Sequence, residues 1–478
     1  MAERLNLATY FVDRHLAEGR GEKTAVIDED RRYTYAEIAA LVNRAGNALR
    51  RAGVGPGDRV LIILQDSPEF VATYFGAMKI GAVAVPTSTA LRAGDYTYLI
   101  EDSQAKVVVS EASPLDTVHE SPEMECAATS VDDTAFWLWT SGSTGPPKAA
   151  VHRHADWITA CEGFAHGVLG ICADDTTFSS AKLFHAFGLG NGLMFPFYAG
   201  ATTVLYPGKP QARAILERAH ECRPTLFFSV PTHFAAMLQA TDSGNPYDLS
   251  SVRLGISAAE PLPAEIVRRW RGRFGFDVLD GIGSTEVLHI YISNRPGCVR
   301  PGSTGLPVPG YQVRITDENG RELPSGETGD LWVRGDSNAR CYWNRPRLTA
   351  ERMLNGWFFS GDKYRADADG YYWYAGRSDD MFRVSGEWVS PIEVESALIE
   401  HPAVLEAAVV ARLGEDGLPM PCAFVTLKDP GCGCEGLAGE LREFLRGRLA
   451  GYKRPRRIEF LEELPKTATG KVQRYKLR

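Results

Sequence analysis

A chain of 478 residues is too long for one hydrophobic core, so two or more domains are expected. Hydrophobic residues at 44% and charged residues at 23% describe an ordinary soluble globular protein. The net charge of −8 leaves no basic footprint for nucleic acid or an anionic membrane, and no apolar stretch is long enough to span a bilayer.

Leu7, Tyr10, Phe11 and Leu16 fall at helical spacing over 6–16. Ala25-Val-Ile27 and Tyr33-Thr-Tyr35 predict a short hairpin, followed by an amphipathic helix from Tyr35 to Ala52. Val60–Leu64 reads as a strand, Phe70–Gly81 as a helix, and Ala82–Val85 and Lys106–Ser110 as strands. The same alternation continues between Thr176 and Ile256, with strands at 201–205 and 225–229 and helices at 211–221 and 233–239. This rhythm predicts βαβ units and a mostly parallel sheet. Beyond Gly302 the texture changes: 311–315, 329–334 and 371–374 are strand-like, separated by turns such as Asn319-Gly320 and Asp369-Gly370. That pattern predicts an antiparallel sheet or small barrel. From Gly376-Arg-Ser-Asp379 the α/β mixture returns, with helices at 391–400 and 437–449 and strands at 406–411 and 423–428. The expected fold class is therefore α/β: a large N-terminal domain of parallel sheets with a small antiparallel barrel, and a small α+β C-terminal domain. The boundary is expected between 1–378 and 379–478.

The N-terminus Met1-Ala-Glu-Arg-Leu5 lacks the apolar region of a signal peptide. Nine cysteines are scattered, and Cys432-Gly-Cys434 has no CxxC partner or neighbouring histidine, which argues against a metal cluster. Reduced thiols in a cytoplasmic enzyme are the simplest account.

One stretch concentrates chemistry. Thr140-Ser-Gly-Ser-Thr-Gly-Pro-Pro-Lys148 follows the apolar run Ala135–Trp139 and reads as a loop fed by a buried strand. Its glycines let the backbone approach phosphate oxygens, its hydroxyls donate to them, and its lysine neutralises their charge. It is not the Walker pattern, since Ala149 follows Lys148. Four further stretches accompany it: Asp280-Gly-Ile-Gly-Ser-Thr-Glu286, Ser360-Gly-Asp362, Gly376-Arg-Ser-Asp-Asp380, and Pro465-Lys-Thr-Ala-Thr-Gly-Lys471. Ser360-Gly-Asp362 is expected to set an acid in a tight turn, ready to accept ribose hydroxyls. Taken singly, each has a bland reading as a cap, an ion pair or a solvated charge.

Together and in this order, they resemble the adenylate-forming superfamily of acyl- and aryl-CoA ligases, luciferases and peptide-synthetase adenylation domains, over essentially the whole chain. Asp280–Ile290 and Lys182-Leu-Phe-His-Ala-Phe-Gly-Leu-Gly-Asn191 are most similar to the benzoate-CoA ligase branch. The resemblance implies that Thr140, Ser141, Gly142, Ser143, Thr144, Gly145 and Lys148 hold the β- and γ-phosphates of ATP. Thr285 would contact the α-phosphate and Glu286 would hold Mg²⁺. Asp362 and Arg377 would bind the ribose, and Ala258, Ala259, Glu260, Asp280 and Gly281 would line the rest of the nucleotide site. Lys471 would be the catalytic lysine of adenylation, and Asp379 the hinge of the mobile domain. Gly386, Tyr452 and Arg454 would meet CoA in the thioester-forming state. The implied reaction is attack of a carboxylate on the α-phosphorus, loss of pyrophosphate, and displacement of AMP from the acyl-adenylate by a thiol. Positioning and charge neutralisation carry such a step.

For the acid, the resemblance points to His185, Ala186, Phe187, Ser257, Ile282, Gly283, Leu288 and His289, a mix suited to a flat aromatic ring. Benzoate-CoA ligases usually carry an aromatic residue at the His185 position. Two readings of His185 stand side by side: hydrogen bonding to a ring amino or hydroxyl group, as in 2-aminobenzoate (anthranilate), or stacking against an unsubstituted ring. The segment 111–131 is shorter than its usual counterpart, and Ser385-Gly386 stands where many relatives have two glycines. The nearest rival is an aryl acid adenylation enzyme that loads a carrier-protein phosphopantetheine. Dimerisation, common among relatives, is carried as an expectation. A dead binding module is disfavoured by the presence of Glu286 and Lys471. A dinucleotide-binding dehydrogenase is disfavoured because Gly188-Leu-Gly-Asn-Gly192 is GxGxG, not GxGxxG.

Overall fold

The structure is a computed structural model and describes residues 3–140, 146–241, 244, 246–378, 380–384, 387–414, 418–429, 431, 433, 435–466 and 472–478. Among the described residues the largest sheet has nine strands. It runs from Leu306–Pro307 through Ile290–Ser293, Val278–Gly283, Leu254–Ser257, Leu226–Ser229, Thr176–Ser179, Thr202–Leu205 and Thr24–Asp28 to Arg31–Thr34. Its six central strands are parallel, as the βαβ rhythm predicts. A second, six-stranded sheet is ordered Cys341–Tyr342, Lys148–Arg153, Thr134–Thr140, Val83–Pro86, Arg59–Ile63 and Val107–Ser110.

These central strands are largely buried because helices cover the sheets. Helix Tyr35–Arg51 starts at a reciprocal capping box between Thr34 and Glu37, and helix Pro68–Lys79 starts with a Ser67 cap and Pro at its first position. Both bury their apolar faces in one continuous core. The segment 111–131 crosses helix Tyr35–Arg51 as a strap. Asn43, Asn47, Arg50 and Arg51 donate to the carbonyls of Pro122, Ser121, Glu125 and Asp116 respectively.

The third layer is a five-stranded antiparallel sheet, a half-barrel, built on the long strand Trp357–Ala366. Its strand Thr328–Arg334 lies on one side and Tyr372–Arg377 on the other. Here one expectation is corrected. Asp362 lies inside this strand, not in a tight turn, because Gly361 takes φ +76° and lets the strand bulge without breaking.

The C-terminal region gathers its own core around Val394, Leu398, Val409, Val425 and Leu441. Its three-stranded sheet pairs Val404–Leu413 with Pro419–Leu427 and Arg457–Phe460, flanked by helices Pro391–Ile399 and Glu435–Arg446. Ion pairs fasten the chain end to the start of this region: Arg478 reaches Asp380 at 2.6 Å, and Arg474 reaches Glu395 at 2.8 Å. No helix among the described residues is long and apolar enough to cross a membrane.

Candidate active site

Parallel strands deliver side chains to a common edge at their C-terminal ends, where ligands bind in open α/β sheets. Here that edge carries a polar row. Asp280 pairs in register with Ser257, and Ser257 with Ser229. Ser229 Oγ lies 2.7 Å from Ser180 Oγ. Ser257 Oγ and Asp280 Oδ1 are buried without a hydrogen-bond partner. Burial pushes the Asp280 carboxyl well above the usual carboxylate range. Unsatisfied polar atoms are expensive in a closed core and are groups that a polar ligand would satisfy. Ala258, Ala259 and Glu260 follow directly. Ala259 is exposed and holds φ +77°, a left-handed conformation that is strained for a residue with a side chain.

The end of strand Val278–Gly283 leads into a single 3₁₀ turn, Thr285–Val287, capped by Ser284 Oγ on the Val287 amide. Three consecutive carbonyls of this turn are held from outside. His152 Nε2 lies 2.8 Å from Thr285 O, the Ala339 amide donates to Glu286 O at 2.7 Å, and Ser337 Oγ donates to Val287 O at 2.7 Å. Tyr342 donates its hydroxyl to Glu286 Oε1 at 2.6 Å. Over the face of Tyr342, 5.0 Å from the ring centroid, sits the Lys148 ammonium. Burial lowers the Lys148 pKa, and the Glu286 charge works against that shift.

Asp362 and Arg377 pair across adjacent strands, in register, at 3.2 Å. They face the same space. The charges of Asp362 and Glu286 both add to the burial that raises the pKa of Tyr291, whose hydroxyl is buried and unpartnered. A methyl on Gly361 would meet Arg352 Nη1 at 2.9 Å and Arg377 Nη2 at 3.2 Å, so Arg352 joins the cluster. Lys148, Thr285, Glu286, Asp362 and Arg377 therefore converge, although 229 positions separate Lys148 from Arg377.

Sequence reasoning missed His152, Tyr342, Arg352 and Tyr291. His152 and Tyr291 sit in apolar strands, where an imidazole or phenol reads as core. Tyr342 and Arg352 lie in a short stretch with no strong periodicity.

Of the residues expected around the acid, Ser257 belongs to the polar row, while Phe187, Leu288 and His289 lie in a second, drier region. His185 precedes the short helix Ala186–Leu189, and its ring meets Phe184 edge-on at 4.6 Å. His289 is buried among Trp157, Phe164, Phe187 and Phe195, with ring centroids 4.5–6.4 Å away. Its Nε2 lies 3.4 Å from Phe187 O and its Nδ1 has no partner. Desolvation pushes its pKa down to about 3. Gly283 gives room for the His289 backbone, since a Cβ there would lie 2.6 Å from His289 O. Ile282 packs at the edge of the core, while Leu288, at φ +79°, is wholly inside it.

Thr140 and Lys148 face each other as the paired ends of the hairpin that encloses the Ser/Gly loop. Ser141, Gly142, Ser143, Thr144, Gly145, Asp379, Gly386 and Lys471 lie outside the described residues. Lys466 and Val472, on either side of 467–471, form a β-bridge. The Lys466 charge reaches His233 at the nine-stranded sheet, where burial, Lys182 and Lys466 lower the imidazole pKa to about 4. Tyr452 and Arg454 lie at the 3₁₀ turn Gly451–Lys453, with Tyr452 packed on the C-terminal core.

Comparison with known proteins gives a consistent result. The model of the AMP-binding enzyme family matches residues 13–343, and that of the AMP-binding enzyme C-terminal domain matches residues 393–471. A benzoate–CoA ligase of Thauera aromatica is 48% identical over 508 residues, covering 100% of this chain and 96% of its own length. The crystal structure of the anthranilate CoA ligase AuaEII in complex with anthranoyl-AMP superposes with a TM-score of 0.96 at 40% identity, covering 100% of this chain and 97% of that one. A benzoate CoA ligase from Burkholderia xenovorans LB400 gives a TM-score of 0.92 at 43% identity, covering 99% and 100%.

Proposed function

Because the chain belongs to the AMP-binding enzyme family, we propose that it is an ATP-dependent aryl-CoA ligase. It activates benzoate or a ring-substituted benzoate as an aryl-adenylate and passes the aryl group to CoA, releasing pyrophosphate and AMP. The observation that carries this reading is the meeting of a charged cluster and an aromatic cage at one turn. Glu286 belongs to the cluster and His289, three residues later, to the cage.

The residues divide the work. The loop of Ser141, Gly142, Ser143, Thr144 and Gly145, with Thr140 and Lys148 at its ends, binds the β- and γ-phosphates. Asp362 accepts the ribose hydroxyls while Arg377 fixes its carboxylate. Ala258, Ala259, Glu260 and Gly281 line the adenine, and Asp280 presents its unpartnered carboxyl oxygen there. Thr285 meets the α-phosphate. Glu286 would supply the protein ligand for Mg²⁺, an ion usually bound through one or two carboxylates together with substrate phosphates. Among the described residues no three His, Cys, Asp or Glu side chains gather into a cage. Mg²⁺ when bound neutralises phosphate charge. Lys471 stabilises the developing charge between carboxylate and α-phosphate.

Residues 1–378 form the catalytic body and 379–478 the mobile unit that turns about Asp379. Rotation withdraws Lys471 and brings Gly386, Tyr452 and Arg454 to CoA. The cytoplasm is the assigned compartment, in keeping with seven free cysteines among the described residues. His185, Ala186, Phe187, Ser257, Ile282, Gly283, Leu288 and His289 are assigned to the ring and its walls, with His185 either hydrogen-bonding an ortho amino or hydroxyl substituent or stacking against an unsubstituted ring.

The test is AMP formation with ATP, Mg²⁺ and CoA across benzoate, anthranilate, hydroxybenzoates and a medium-chain fatty acid, with CoA omitted in parallel. CoA-dependent turnover of one or two aryl acids is expected. Pyrophosphate exchange without CoA-dependent turnover would indicate a carrier-protein acceptor, and silence with every acid would sink the aryl reading. Equal or better kcat/KM for benzoate than for anthranilate and the hydroxybenzoates would remove the substituent role of His185.

A further inference from the structure

Strand Lys148–Arg153 carries His152 into the core behind the Thr285–Val287 turn, where the imidazole is fully buried. Its Nδ1 lies 3.0 Å from Asp156 Oδ2 and its Nε2 lies 2.8 Å from the Thr285 carbonyl oxygen. A carbonyl oxygen only accepts. Asp156 is set up to accept as well: the Arg153 amide donates to Oδ2 and Arg153 Nε to Oδ1, both at 3.0 Å. Each ring nitrogen therefore faces an oxygen that accepts, so the ring is oriented from both ends. Phe136 stacks on its face at 5.1 Å with an interplanar angle of 9°, which fixes the ring plane.

The placement is selective. Glu286 O and Val287 O are held by Ala339 and Ser337, neighbours in one segment. Thr285 O accepts from the Leu288 amide within the turn at 3.2 Å, and from outside it is held by a side chain of the strand that begins at Lys148, the strand that also ends the phosphate loop. A leucine would fill the same core volume without burying an imidazole and a carboxylate, which are costly to desolvate unless well hydrogen-bonded. A buried polar pair of this kind is best explained by what it orients.

We propose that His152, locked by Asp156, is a positioning residue for adenylation: it fixes the Thr285 carbonyl, and with it the Thr285 hydroxyl and Glu286 carboxylate, in register with the phosphates held by the Lys148 hairpin. The proposal rests on the reading that this turn handles the nucleotide.

Two near-isosteric substitutions separate the two contacts. In His152→Gln the amide nitrogen overlays Nε2 and keeps a donor toward Thr285. In His152→Asn it overlays Nδ1 and keeps only the contact to Asp156. Aryl-acid-dependent ATP–pyrophosphate exchange is measured for both, together with thermal midpoints. The expected result is a kcat for His152→Gln within about threefold of wild type. For His152→Asn a fall of about 10- to 100-fold is expected, the scale of losing one oriented donor, with KM for the aryl acid unchanged. Asp156→Asn, which replaces one accepting oxygen with a donor, is expected to lower kcat in the same way and serves if His152→Asn does not fold. Equal losses in the Gln and Asn variants, tracking their thermal midpoints, would mean a purely structural pair and would overturn the positioning role alone. A wild-type chain with no aryl-acid-dependent exchange would overturn the reading of the turn and this proposal with it.

Discussion

Two buried histidines stand on either side of the Thr285–Val287 turn and are treated in opposite ways. His152 has a hydrogen-bond acceptor at each ring nitrogen and a ring stacked on its face. His289 sits within four aromatic rings, with one nitrogen unpartnered and the other 3.4 Å from a carbonyl. On the first side, geometry is set by directional hydrogen bonds, so loss of a partner is the damaging change. On the second, geometry is set by shape, so a change of volume is the damaging one. A reaction step shared by a family belongs on the directional side. The choice of acid belongs on the side where a methyl group decides what fits.

The comparison breaks first at Glu286. Glu286→Gln keeps volume and loses charge, which on the directional side should be severe. Aryl-acid-dependent pyrophosphate exchange is expected to fall about 100- to 1000-fold, the scale seen when one charge-stabilising group is removed. Thermal stability should change little, because the backbone of the turn stays held at all three carbonyls. A Glu286→Gln enzyme within tenfold of wild type would place the metal and phosphate chemistry elsewhere.

The mirror test is a pure volume change on the other side. A Cβ at Gly190 would lie 2.4 Å from His289 Cδ2 and 2.6 Å from Nε2. The imidazole is already hemmed in by Phe187 and Phe195, so it moves only by displacing them. Gly190→Ala is expected to cost about 1–3 kcal/mol of overpacking. It should lower kcat/KM for aryl acids by about tenfold, raise KM for the acid, and leave KM for ATP unchanged. An equal rise in both KM values would show that the two regions are mechanically one.

This division also explains what the sequence made legible. The helix predicted from Tyr35 was found within one residue at its C-terminal end, because Thr34 and Glu37 announce its start and its apolar face keeps period. The parallel sheets followed from alternation alone. Helix Ala93–Ser103 went unpredicted, since Ala-Gly-Asp-Tyr-Thr-Tyr has neither strong propensity nor a continuous apolar stripe. Asp362 reads as a turn residue because Ser-Gly-Asp carries the same local signal whether a chain reverses or a strand merely bulges. For the site, the charged residues were legible through resemblance. His152 and Tyr342 were not, because what distinguishes them is a partner more than 50 positions away.

The smallest effect sharpens the comparison through pH. In the folded chain burial holds His289 near pKa 3, against an ordinary value of 6.5. A depressed histidine stays neutral when folded, while the unfolded chain accepts a proton below about pH 6.5. Its contribution is therefore fully present above pH 6.5 and is lost progressively as pH falls toward 3. His289→Gln removes this proton from the balance. Relative to the variant, the wild-type chain should lose stability on acidification from pH 6.5, by up to about 1.4 kcal/mol per pH unit. His15, His154 and His233, lowered to about 4 chiefly by burial as well, titrate in both proteins and cancel in the difference. Urea midpoints measured for both proteins at pH 7.5, 6.0 and 5.0 read this slope. Parallel curves would mean that the folded chain admits a proton at His289. The aromatic cage would then be wet, and its selectivity would have to come from hydrogen bonding instead of shape.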